Sequence, residues 1–339
     1  LRLFLLSLAT MLALSGAARA QNVPVAGLSA AQLAVVINDD EPNSVELGEY
    51  YQKARNIPAA NMVHVRIPHR PRKLDADQFD ALKAQIDARL GPDIQAVLMV
   101  WTAPYAVECN SLTSAYTLGL DSGLCAKSCA PSKPSSYFNS ASAKPYTDYR
   151  MRLSMLLPTD SVEASKALID RGVLAGFAVP TATAYFLKTS DAARSSRARF
   201  FPRSMTVPSR KLTIKTLEAD SIEQAGDIIV YETGLSQVPK LNTLKFLPGA
   251  LADHLTSYGG DLLAEGGQMS SLRWLDAGAT ASYGTVSEPC NHWQKFPNST
   301  VLLGQYLRGN TAIEAYWKSV AWPAQGVFVG EPLAAPYRH

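Results

Sequence analysis

The sequence predicts an α/β protein built on a mostly parallel β-sheet with helices on both faces. Two observations carry that prediction. Short apolar runs at residues 33–37, 62–67 and 96–101 alternate with amphipathic helical stretches at 43–56 and 75–90. That is the order of a sheet whose strands are joined by crossover helices. The first and third runs are apolar throughout, as strands covered on both faces are.

Residues 3–14 are apolar, follow Arg2 and end at Ala18-Arg19-Ala20. The run is too short to span a bilayer and has the flanks of a secretory signal peptide, expected over residues 1–20. The mature chain is then expected to start at Gln21, exported to the periplasm or medium, with no membrane span after cleavage. Over 339 residues, 47% are hydrophobic and 18% charged, enough for a large core and unlike a disordered chain. A net charge of +3 with no basic stripe argues against nucleic acid. An unidentified small ligand or a protein is the expected partner. No cofactor is expected, because Asn38-Asp39-Asp40 follows the first strand where a dinucleotide-binding chain carries G-x-G-x-x-G.

In the N-terminal half (residues 21–107), Asn43 or Ser44 is expected to cap the first helix, which Ile57-Pro58 stops. His64 reads as a strand-face residue. Gly91-Pro92 ends the second helix. Asn38–Glu41 and Thr102–Tyr105 fall beyond strand ends, and the acidic cluster reads as a solvated turn leading into the helix.

Residues 108–150 are rich in Ser, Ala and Pro and hold Cys109, Cys125 and Cys129. They read as a long excursion stapled by a disulfide, a lid or wall for a site. With Cys290 far along the chain, four cysteines allow three pairings, and the sequence does not choose among them. C-x15-C-x3-C with no histidine nearby does not match a zinc knuckle.

The C-terminal half (residues 151–339) returns to strand at 152–157, then helix at 161–171 ended by Gly172, then strand at 183–187. Arg194, Arg197, Arg199, Arg203 and Arg210 interrupt the pattern. Lacking a glycine-rich phosphate loop, they read as an exposed linker. Strands follow at 228–231, 250–255 and 279–283, helices at 270–276, 298–307 and 311–320, and a last strand at 326–330. Asn298-Ser299-Thr300 matches a glycosylation sequon but reads as a helix cap.

The stretch Asn38-x3-Pro42-x-Ser44-x-Glu46-x4-Tyr51-x3-Arg55-x-Ile57-Pro58, residues 252–260 and 282–290, and the closing 326–333 resemble a family of exported bacterial proteins of unknown function. More distantly, the block 227–333 resembles the caspase and gingipain cysteine peptidases, which implies a caspase/gingipain-like fold. In those enzymes a histidine follows one strand and the nucleophilic cysteine follows its neighbour. The matching positions here hold Leu235 and either Ser257 or Tyr258. Leucine offers a nucleophile neither a base nor a cation.

If chemistry has moved, its candidates are His254, Ser257, Glu288, Cys290 and His292. On a regular strand Asp253 and His254 point to opposite faces, so they do not pair as base and orienting acid. A lone histidine in an apolar strand reads as a hydrogen-bonded core residue. Cys290 with His292 is either a thiol with its base or half of a long-range disulfide, and export favours the disulfide. Trp293 and Lys295 suit a pocket wall or a surface strut equally. Two functions remain: a non-catalytic binding or scaffold protein that kept the fold without the dyad, and a peptidase-like hydrolase with a relocated site.

Overall fold

The computed structural model describes residues 27–176 and 180–338. The expected signal peptide, residues 1–20, lies outside the described residues. The chain opens with β1 (Leu33–Asn38), α1 (Pro42–Arg55), β2 (Met62–Val65), β3 (Lys73–Leu74), α2 (Ala76–Asp87) and β4 (Ala96–Val100). Next come β5 (Ala106–Val107), β6 (Asn110–Ser111), α3 (Leu112–Leu118), α4 (Pro145–Tyr149), β7 (Leu153–Leu157) and α5 (Val162–Leu174). The rest is β8 (Ala182–Lys188), β9 (Met205–Val207), β10 (Leu212–Glu218), β11 (Ile228–Thr233), β12 (Phe246–His254) and α6 (Leu272–Asp276). It closes with β13 (Ala281–Thr285), α7 (Ser299–Leu307), α8 (Ala312–Ser319) and β14 (Gly326–Gly330).

Eleven strands form one sheet in the order β2-β1-β4-β7-β14-β13-β12-β11-β8-β10-β9. Its neighbours are parallel except β13–β14 and β9–β10, so the expected mostly parallel α/β architecture is what the chain adopts. The antiparallel β13–β14 seam has a consequence for where sites can lie. β14 runs with β7 and against β13. The carboxyl ends of β1, β4 and β7 therefore lie at one rim, and those of β11, β12 and β13 at the opposite rim. Ligand crevices of parallel sheets lie beyond such ends, so each half has its own.

Local chemistry explains most boundaries. Asp75 caps α2 by accepting from Gln78 N–H at 2.8 Å, and Gln78 answers with its own side chain. Asn298 caps α7, accepting from Val301 N–H at 3.2 Å, as the cap reading of the sequon anticipated. The first helix differs from expectation. It starts at Pro42, suited to a first helical position, which frees Asn43 to donate to Thr159 O at 2.8 Å. Ser44 is buried, accepting from Asn38 N–H and donating to Val100 O.

The cysteine-bearing excursion is less of a loop than expected. All of α3 except Leu118 is buried, and α3 packs on β7 and β14. The hydroxyls of Ser111 and Ser114 donate to Gly326 O at 2.5 and 3.0 Å. Small hydroxylated residues let the helix approach the strand, and they are why the segment looked too polar for a core element. An edge strand, β9, also arises where an exposed linker was expected, and it pairs with β10.

Gly172 does not end its helix, as α5 continues to Leu174. A Cβ at Gly172 would lie 2.3 Å from the Glu331 carboxylate. Glu331 follows β14, is fully buried, and accepts from Arg55 at 2.6 and 3.0 Å and from Tyr51 Oη–H at 2.6 Å. Glycine is thus required for close approach and not for its dihedral freedom. Gly172→Ala is expected to lower stability by about 1–3 kcal/mol through overpacking, despite alanine's higher helix propensity. Gly304→Ala in α7, where a Cβ meets nothing within 4 Å, is expected to raise it by about 0.5–1 kcal/mol. Calorimetric melting of both variants checks the pair.

Candidate functional site

β11 and β12 are buried along their carboxyl-terminal halves, with Glu232 opposite Asp253 and Thr233 opposite His254. Alternation along β12 sends Asp253 and His254 to opposite faces. His254 meets α6. Trp274 Nε1–H donates to His254 Nδ1 at 3.0 Å, which leaves the proton on Nε2, and Nε2–H donates to Met269 O at 3.0 Å. Burial, seconded by the nearby charge of Arg197, pushes the His254 pKa down to about 3. The ring is neutral, sealed, and has no free lone pair. A general base needs a lone pair within reach of a substrate proton, and His254 offers none.

On the other face, Glu232 and Asp253 share one cation. Arg197 Nη1 lies 2.5 Å from Asp253 Oδ1 and 3.8 Å from Glu232 Oε1. Arg197 Nη2 donates to Thr233 O at 2.9 Å. All three side chains are at most 1% exposed. This corrects the exposed-linker reading of the arginine run, since Arg197 is a core residue. Arg194 also turns inward, donating to Thr256 Oγ1 at 3.1 Å and pairing with Asp191 at 2.7 Å. A signal for this was present in the sequence. Two carboxylates in otherwise apolar strands require a buried cation, because uncompensated charge in a core costs several kcal/mol. One guanidinium serves two acids, so burial and the charge of Asp253 push the Glu232 pKa up to about 8 against the pull of Arg197. Ser299 Oγ–H donates to the other oxygen of Glu232.

Of the remaining candidates, Ser257 follows β12, and Glu288, Cys290 and His292 lie on the loop after β13. Cys290 is bonded to Cys129, and Cys109 to Cys125. That selects one of the three pairings and removes Cys290 from the list of thiol nucleophiles, because a disulfide sulfur carries no thiolate. Glu288 Oε1 accepts from Cys290 N–H at 2.7 Å and so shapes the turn. The His292 ring lies edge-on to Trp322 at 6.1 Å. Ser257 is 7% exposed, and its carbonyl accepts from Thr285 Oγ1–H at 2.9 Å. Of the five candidates, Glu288 and Cys290 share that turn bond, and the two ring nitrogens of His254 are bonded to Trp274 and Met269 instead. Lys295, for which a pocket wall or surface strut was expected, is buried and donates to Ser128 O. Burial lowers its pKa to about 8, against the pull of Glu288 and Asp121.

At the opposite rim the acidic turn is exposed at Asp39 and Asp40, as a solvated turn is, while Glu41 is buried. Asp39 pairs with His64 at 2.7 Å, Asp40 with Arg66 at 3.0 Å, and buried Glu41 with Arg70 at 3.3 Å. Among the described residues no group of three or more His, Cys, Asp or Glu side chains is arranged to hold a metal.

Beyond the carboxyl ends of β11 and β12 lies an open cleft of about 430 Å³. Its polar groups are Gln237, Lys240, Asn242, Gln268, Ser270 and Arg273, over a floor of Val238, Leu241 and Met269. No acid lines it. His254 is fully buried and spends its Nε2–H on the Met269 carbonyl, and its imidazole does not line the cleft.

No protein-family model matches the chain, and no curated protein sequence matches it. Two solved structures are similar to it. One is the Arg-specific cysteine proteinase gingipain R (RGPB), 10% identical over 92% of this chain and 79% of that one, with a TM-score of 0.47. The other is a complex of Porphyromonas gingivalis RgpB pro- and mature domains, 10% identical over 90% and 79%, with a TM-score of 0.44. The likeness concerns the course of the backbone and assigns no residue a role.

The buried acid sets a pH dependence whose sign is definite. Glu232 is raised from an ordinary 4.5 to about 8, so its stabilising, protonated state is fully present below about pH 4.5 and lost as pH rises through 8. His254 acts oppositely: its contribution is present above about 6.5 and lost as pH falls towards 3. Glu232→Gln, which keeps a hydrogen-bonding shape without the proton, is expected to flatten the fall in melting temperature between pH 6 and 9. A fall as steep as that of the unaltered protein would show that Glu232 does not titrate there.

Proposed function

We propose that this chain is a non-catalytic binding or scaffold protein, exported from the cell, that presents the cleft beyond β11 and β12 to a ligand or protein partner. The observation that supports this most directly is the state of His254. Both ring nitrogens are committed to buried hydrogen bonds. All four cysteines are tied in disulfides. No imidazole, thiol or carboxylate lines the cleft, whereas amides, a hydroxyl and two cations do. Such groups hold and orient a ligand. They do not break a bond without an activated nucleophile or acid–base pair.

Export is supported by the signal-peptide pattern of residues 1–20 and by two disulfides, which persist in oxidising compartments. The rival function, a hydrolase with a relocated site, requires His254, Ser257, Glu288, Cys290 and His292 to act together, and the side-chain arrangement speaks against it.

The test uses the full oxidised protein. Iodoacetamide is expected to label no cysteine without prior reduction, and a mixed peptide library is expected to remain uncleaved over the buffer blank. Hydrolysis that disappears in His254→Ala or His292→Ala while the melting temperature holds would replace this proposal with the hydrolase.

A further inference from the structure

A second hollow, of about 100 Å³, lies between α5 and α6 and shares no lining residue with the cleft described above. Its walls are apolar, with Ala164 and Leu168 on α5 facing Leu272 and Leu275 on α6. Most of the polar groups at its edge are already engaged. Ser161 Oγ accepts from Ala164 N–H at 3.2 Å, and Ser165 Oγ–H donates to Pro158 O at 2.7 Å. Asp160 pairs with Arg70 at 3.1 Å, and Asp276 with Arg273 at 3.4 Å.

Arg171 is different. Its Nη2 donates to the carbonyls of Leu275 and Ala279, each at 3.1 Å, holding the end of α6 against α5. Its Nε is buried with no hydrogen-bond partner. Among the described residues no carboxylate lies within 4.0 Å of its guanidinium. Burial holds its pKa below the ordinary value, and the more distant Asp276 offsets that only in part. The two carbonyls account for one nitrogen and for the geometry, but they leave the charge uncompensated. A half-buried cation without a counter-ion is unfavourable in an apolar setting unless an anion joins it.

An apolar trough ending at an unpaired guanidinium matches one ligand chemistry. We infer that the α5–α6 hollow binds small apolar monocarboxylates, with the carboxylate on Arg171 Nη1 and the hydrocarbon against Leu168, Leu272 and Leu275. Ser161 to Arg171 spans about 15 Å of helix at 1.5 Å per residue, room for a six-carbon acid laid along α5. The inference is independent of the ligand cleft proposed above, since the two hollows have no residue in common.

Titration of the full oxidised protein with hexanoate and with its neutral counterpart hexanamide tests it by calorimetry. Hexanoate is expected to saturate one site, and hexanamide to bind about tenfold or more weakly, the loss of a hydrogen bond to a charged group. Arg171→Met is expected to bring the two probes to equal, weak affinity. Because that variant also loses the bonds to α6, Leu272→Trp provides a second arm. It fills the hollow with Arg171 intact and is expected to abolish hexanoate binding with the melting temperature little changed. Equal affinities for the two probes in the unaltered protein, hexanoate binding that survives Leu272→Trp, or no saturable heat at millimolar hexanoate each overturns the inference.

Discussion

The C-terminal half of the molecule is arranged around one buried contact, the Arg197 guanidinium against Asp253. A salt bridge removed from water repays its desolvation only when geometry is close and the remaining donors are used. Here the contact is 2.5 Å, and a second guanidinium nitrogen is bound to the carbonyl that ends β11. Two further facts follow from this single cation. Glu232, the cross-strand neighbour of Asp253, has no charge of its own to pair with and is favoured in its protonated form. His254, one residue along β12, is favoured as the neutral ring first by burial and then by the field of this permanent positive charge. The device that holds the segment after β8 across the sheet thus adds to the burial and the two hydrogen bonds that hold this ring neutral.

A comparable anchor organises the other half. Glu331 sits immediately after β14 and binds Arg55 and Tyr51 of α1 while Gly172 of α5 yields space to it. β14 lies between β7 and β13, so a strand near the end of the chain joins two parallel half-sheets of opposite direction. The pairing is non-local, and closing it orders a large part of the chain at once. Strong, specific anchoring directly after β14 makes physical sense there. Tyr51, Arg55 and Glu331 serve this closure.

What could be read from the sequence followed period and punctuation. β1 and β4 were legible as apolar runs, α2 as a stripe of Phe79, Leu82 and Ile86 ended by Gly91-Pro92, and α7 by its Asn298 cap. α3 was not, because serine and threonine packed against a backbone carbonyl look like a loop in composition alone. Arg197 and Lys295 were not, because long cationic side chains are usually solvated and their burial depends on partners from distant elements. The opposite orientation of Asp253 and His254 was legible, as it needs only the period of a strand. The pairing of Cys129 with Cys290, across a separation of 161 residues, was not, as it depends on how the excursion returns to the rim beyond β13.

That return bears on whether catalysis can be recovered from this arrangement. The excursion is held to the rim by the Cys129–Cys290 bond, by Ser287 Oγ–H donating to Cys109 O at 2.6 Å, and by buried Lys295 donating to Ser128 O. Reducing the disulfide would free a thiol at Cys290, yet the other two contacts would still hold the loop. The only imidazole on β12 would still face Met269 and Trp274. Reorienting that ring would break both of its hydrogen bonds and expose the Trp274 indole N–H to an unpartnered, buried state, a cost of about 1–3 kcal/mol for that group alone. The oxidised loop and the locked ring are therefore separate barriers. A thiol freed at one leaves the His254 ring at the other still engaged.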